Sequence, residues 1–132
     1  MRILVAEDDL PVAGFLRKSL EAEQYAVDTA ADGAEAKYMA ESYDYDLVIL
    51  DVNLPKMTGF EVLDTLKKNP ATENIPVIML TARTQDQDVL RGWQAGVECY
   101  LTKPFNPIEL VTFIKRIFAV EEQEAAEKRY DL

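Results

Sequence analysis

Three short stretches of the chain are almost unbroken apolar runs: residues 2–6 (RILVA), 47–50 (LVIL) and 77–80 (VIML). A strand covered on one face alternates apolar and polar residues, whereas one covered on both faces is apolar throughout, as in a parallel sheet. Two weaker runs, 25–29 (YAVDT) and 97–101 (VECYL), alternate more and read as strands nearer the sheet edges. Between the runs lie stretches with helical spacing and recognisable ends. Asp9 caps a helix opening at Leu10-Pro11, with Val12, Phe15, Leu16 and Leu20 on its buried face. Asp32-Gly33 opens an Ala-rich helix to about Tyr43, and Phe60, Val62, Leu63 and Leu66 mark a third, stopped before Asn69-Pro70. Val89, Leu90 and Trp93 lie on a fourth, closed by Gly96 as a left-handed cap. Asn106-Pro107-Ile108-Glu109 has the form of a capping box with proline at the first helical position. The fifth helix that follows carries Leu110, Val111, Phe113, Ile114, Ile117 and Phe118, enough for burial on more than one side. Strand alternating with helix five times predicts an α/β fold, a doubly wound parallel sheet of five strands with five helices and right-handed crossovers.

The polar residues that follow the buried runs carry the chemistry. The first run ends in Glu7-Asp8-Asp9, the third strand in Asp51 and the fourth in Thr81, and the fifth is followed by Lys103. All lie at the C-terminal ends of parallel strands, the edge that forms the ligand crevice of open α/β sheets. Glu7, Asp8 and Asp51 therefore converge, and like charges at close range need compensation. A hard divalent cation supplies it, and an all-oxygen site suits Mg²⁺. With Lys103 and the Thr81 hydroxyl beside it, a carboxylate in such a site is equipped to attack phosphorus and form an aspartyl phosphate. Singly, each residue has a plainer role: Glu7-Asp8-Asp9 as a helix start, Asp51 as a turn residue, Thr81 as a cap, Lys103 as a solvated loop residue. Their conjunction at four strand ends is what is specific.

Composition narrows the field. The 132 residues, 48% apolar, fit one domain with a real core and few breakers. A single cysteine excludes an internal disulfide scaffold and points to a reducing, cytoplasmic setting. No apolar run approaches the roughly 20 residues of a membrane span. No secretory leader is expected, because Ile3–Ala6 meets acid at Glu7. A formal charge of −10 repels phosphate backbones, so no direct nucleic-acid binding is expected. With no histidine, Ser–His and Cys–His nucleophiles are excluded, leaving carboxylates, hydroxyls and lysine.

The segments ILVAEDD, LVILDVNLPKMTGFEVL, IPVIMLTA and YLTKPFNPIEL resemble the receiver (response-regulator, CheY-like) domain of two-component signalling, over residues 1–118. The resemblance implies a flavodoxin/CheY-like strand order, 2-1-3-4-5. It implies Asp51 as phosphoacceptor and Glu7 and Asp8 as the acidic pair, with Asp8 the direct Mg²⁺ ligand, Glu7 acting through water and Asp9 left to capping. Asn53 would offer its backbone carbonyl to the metal, Thr81 and Lys103 would bind the phosphoryl group, and Tyr100 is the switch aromatic. The Lys103-Pro104 bond would be cis. A sensor histidine kinase or phosphotransfer protein would donate the phosphoryl group. Thr81 and Tyr100 would then move, reshaping the face formed by the fourth helix, fifth strand and fifth helix. In relatives of the OmpR/PhoB type that face carries charge pairs. Here Val89 and Phe113 stand in place of basic residues, Glu98-Cys99 replaces an acidic pair, and Trp93 and Val111 are apolar. This face is therefore expected to bind a downstream protein, a missing effector domain or a second copy as a homodimer through an apolar contact. Packing of Phe113 and Trp93 into the core is the plainer alternative.

The implied protein is a switch rather than an enzyme, with slow autodephosphorylation that Asn53 and Arg83 would tune. A haloacid-dehalogenase-type phosphohydrolase shares the nucleophile and metal, but has the reverse order of acids and an aspartate where Asn53 stands. A flavin binder needs a hydroxyl- and glycine-rich loop where Glu7-Asp8-Asp9 stands. A receiver-like module that is never phosphorylated is a third alternative. Residues 119–132 read as a polar, acidic extension, either the end of the last helix or a tail.

Overall fold

The computed structural model describes residues 1–81 and 96–130. In chain order the elements are β1 (Arg2–Ala6), α1 (Leu10–Glu21), β2 (Ala26–Ala30), α2 (Gly33–Ser42), β3 (Leu47–Asp51), α3 (Gly59–Lys68), β4 (Val77–Thr81), β5 (Cys99–Thr102) and α4 (Pro107–Tyr130). The strands form one sheet in the order β2-β1-β3-β4-β5, with every neighbouring pair parallel. Four helices stand among the described residues. The further helix expected to carry Val89, Leu90 and Trp93 falls at residues 82–95, outside them. Gly96, expected to close that helix, has φ +92°.

The unbroken apolar runs resolve into two interleaved stripes. Leu4, Ala6, Val48, Leu50, Val77 and Met79 face one side, where Ala36 and Ala40 of α2 and Phe60, Val62, Leu63 and Leu66 of α3 cover them. Ile3, Val5, Leu47, Ile49, Ile78, Leu80 and Leu101 face the other, under Leu16 and Leu20 of α1 and Leu110, Ile114 and Phe118 of α4. Successive residues of a strand point to opposite faces, so a sheet packed on both sides needs an apolar residue at each step.

The expected caps form at α1 and α2, where the carboxylates of Asp9 and Asp32 accept from the amides of Val12 and Glu35. At α4 the Asn106 side chain accepts from the amide of Ile108. A capping box with both halves in place opens α3 instead, between Thr58 and Glu61. One expected core residue is not buried: Phe15 is 49% exposed, and Ala13 takes an inward position. Phe15 sits about 100° around α1 from buried Leu16, and lines an apolar hollow of 470 Å³ with Pro11, Val12, Lys103, Pro104 and Phe105. The last helix runs unbroken past Phe118 to Tyr130. Among the described residues no helix is long and apolar enough to cross a membrane.

Candidate functional site

β1 and β3 are neighbours with Ala6 level with Leu50, so the residue after each strand pairing, Glu7 and Asp51, lies side by side at the C-terminal edge. Backbone bonds continue the ladder there. Glu7 N–H donates to the Ala30 carbonyl (3.0 Å), and Val52 N–H to that of Leu80 (2.9 Å). Lys103 N–H donates to the Thr81 carbonyl (2.7 Å), which brings in the loop after β5. The Lys103-Pro104 bond is cis, as the resemblance implied.

Lys103 reaches back over this edge. Its ammonium lies 2.8 and 2.9 Å from the two Glu7 oxygens and 2.7 Å from Asp51 Oδ2. Asp51 Oδ1 accepts from the backbone N–H of Asn53 at 2.9 Å. Glu7 is 1% exposed, Asp51 5% and Thr81 4%. Asp8 is exposed, and one oxygen from each of Glu7, Asp8 and Asp51 lies within 4.8 Å of the others. Burial, then the neighbouring Asp51, pushes the Glu7 carboxyl up to about 7, against the pull of Lys103. Burial also pushes Asp51 upward, but hydrogen bonds with Glu7, Lys103 and Asn53 outweigh it and hold the carboxyl below its ordinary range. Burial lowers the Lys103 ammonium, but Asp51 and Glu7 outweigh it and hold it charged above its ordinary range.

This donor set fits a magnesium ion. All the candidate ligands are oxygens, as a hard cation requires. Three clustered carboxylates with one ammonium among them leave a net negative charge for a divalent cation to offset.

The remaining expected residues fall in several places. Thr81 ends β4 beside the Asp51 end of β3. Tyr100 is half-buried and leans on the α2/α3-side core. Val111 and Phe113 are half-buried against the opposite core. Val89, Trp93 and Arg83 lie outside the described residues. The lone Cys99 thiol is pushed up to about 11 by burial, with Glu98 and Glu109 adding to it, and is a poor nucleophile. The largest cavity among the described pockets, 540 Å³, is lined by Asn74, Pro76, Glu98 and Arg116 at the opposite sheet edge and takes no part in the site.

Two residues at the site escaped the sequence reading. Gly59 opens α3 with its α-carbon against the Asp51 carbonyl, where a Cβ would overlap that oxygen. Gly33 opens α2 in the same way against the Met57 carbonyl. The available signal was a glycine at the first position of each helix, where propensity disfavours it.

A family model described as the response regulator receiver domain matches residues 3–115. The chain belongs to the response regulator receiver family. Receiver domains accept phosphoryl groups and act as switches in two-component signalling, and the alternatives of a phosphohydrolase or a never-phosphorylated module are not favoured. This receiver is 38% identical over 116 residues to the DNA-binding dual master transcriptional regulator RpaA of Synechocystis, a match covering 88% of this chain and 48% of RpaA. The chain spans about half the length of the curated relatives it matches. A CheY-like receiver from Methanospirillum hungatei superposes with a TM-score of 0.88 at 31% identity, covering 93% of this chain and 97% of that one. TrrA of Thermotoga maritima, solved in complex with Mg²⁺ and BeF, superposes at 0.79 with 36% identity, covering 88% and 97%.

Proposed function

We propose that Asp51 accepts a phosphoryl group from a sensor histidine kinase or phosphotransfer protein, with Mg²⁺ held by Asp8, Asp51 and the Asn53 carbonyl and backed by Glu7. The observation that supports this most is Lys103 gripping both Glu7 and Asp51 at the strand edge. When bound, the cation neutralises the carboxylates and the oxygens of the incoming phosphoryl group. An Asp51 carboxylate oxygen forms the new bond to phosphorus as the donor's phosphorus–nitrogen bond breaks. The Lys103 ammonium shifts from Asp51 to a phosphoryl oxygen, where it offsets developing charge. The Thr81 hydroxyl donates to another, and Tyr100 follows into the space that Thr81 leaves.

The output face includes Val111 and Phe113, together with Val89 and Trp93 as the resemblance assigns them, and binds a downstream protein, an effector domain or a second copy. The receiver unit is residues 1–118, with residues 119–132 as an extension. It works in the cytoplasm as a switch, with slow autodephosphorylation.

Incubation with acetyl phosphate and Mg²⁺ should add one phosphoryl group by intact mass, with none on Asp51→Asn and none in excess chelator. Labelling of Asp51→Asn at the wild-type rate would overturn the assignment. Sizing of the same samples tests the output face: Trp93→Ala should weaken the assembly that phosphorylation induces.

A further inference from the structure

Both helices that flank the acceptor loop open on glycine, Gly33 in α2 and Gly59 in α3. Neither has a positive φ, so backbone conformation does not call for glycine. Contact does. A Cβ on Gly59 would overlap the carbonyl oxygen of Asp51, and one on Gly33 would overlap that of Met57. Each contact is sealed by a hydrogen bond: Gly59 N–H to the Val52 carbonyl at 2.9 Å, and Gly33 N–H to the Pro55 carbonyl at 3.0 Å. Met57 N–H donates to the same Pro55 carbonyl at 2.8 Å. Lys56, in the left-handed region at φ +68°, pairs with Asp32 at 3.4 Å. The loop 52–58 is thus tied to α3 beside Asp51 and Val52 and to α2 beside Pro55 and Met57, with Asn53 between the two ties.

We propose that Gly33 is a positioning residue for the metal and phosphoacceptor site: it lets the N-terminus of α2 close on residues 55–57 and so fixes the loop that carries Asn53. This rests on the reading of Asp51 as phosphoacceptor with Mg²⁺ beside it. A backbone carbonyl has no side-chain torsions with which to find a metal, so its place is set by the loop alone. Groups that orient a ligand without touching the metal are worth about 10- to 100-fold in affinity. Gly59 acts in the same way from α3, but it touches Asp51 itself. Gly33 contacts the far end of the loop and is the cleaner test.

The experiment uses the full chain and MgCl₂, followed by the amide resonances of Asp51 and Asn53, with hydrogen exchange of the Gly59 N–H measured in the metal-free protein. Gly33→Ala should bind Mg²⁺ about tenfold more weakly, and should exchange the Gly59 amide faster before any metal is added. Pro55→Gly, at an exposed position, should shift both readouts the same way by less, and decides the question alone should Gly33→Ala not fold. Leu20→Ala, in the core beneath α1, should lower stability and leave Mg²⁺ affinity at the wild-type value. Wild-type affinity in the loop variants, or an equal loss in Leu20→Ala, would overturn the role of Gly33. Absence of any Mg²⁺ response at Asp51 in the wild type would instead overturn the reading of the site.

Discussion

Asp28 shows how this chain handles a half-buried carboxylate away from the functional edge. It accepts from Arg2 at 2.6 and 3.0 Å and from the Tyr45 hydroxyl at 2.8 Å, and Arg2 lies over the rings of Tyr43 and Tyr45. Burial pushes Asp28 upward, but the bonds from Tyr45 and Arg2 outweigh it and leave the carboxyl below its ordinary range. A depressed folded-state value contributes stability above the unfolded value of about 3.9, lost as pH falls through the folded one. Asp28→Asn should therefore cost about 1 kcal/mol at neutral pH, after allowance for solvent screening. The gap from wild type should close in acid, as urea titrations at several pH values would show. The acids of the candidate site differ because they crowd one another as well as the Lys103 ammonium. They were legible because each follows an apolar run, and a charge after such a run needs a reason. Gly33 and Gly59 were not, because the carbonyls they make room for come from other segments and no local pattern marks them.

At the level of elements, the continuous apolar runs announced strands covered on both faces, and the alternation of Leu4 and Ala6 with Ile3 and Val5 shows why. Helix starts were legible through Asp9, Asp32 and Asn106, whose side chains accept backbone N–H bonds close by in sequence. The inward face of α1 was less so, because Phe15 is apolar yet sits off the buried stripe. The end of α4 was open between helix and tail. Past Phe118 its residues are mostly exposed, with Glu121 and Ala126 half-buried, so tertiary packing no longer marks a boundary. A chain ending at Phe118 keeps the buried Leu110, Ile114 and Phe118. It should unfold cooperatively within about 1 kcal/mol of the full chain by chemical denaturation, since exposed helix turns contribute little without packing. A loss of cooperativity would show that residues 119–130 belong to the folded unit.

For the molecule as a whole, topology gathers the site. The chain leaves β1 outward to β2 and returns to β3 on the other side, so Glu7 and Asp51 flank the point where strand order reverses. The strand order followed from the family resemblance rather than from hydropathy, which gives burial but not which buried strand lies next to which. The surplus of negative charge is spread over the chain, yet only at this edge do three carboxylates, one ammonium and a buried hydroxyl meet among the described residues. The most direct test of that centre is a crystal structure grown with Mg²⁺ and beryllofluoride. Beryllium on an Asp51 oxygen is expected, with the cation among Asp8, Asp51 and the Asn53 carbonyl, and with Lys103 and Thr81 turned to the fluorides. Beryllofluoride bound away from Asp51, or a cation outside the acidic cluster, would contradict it.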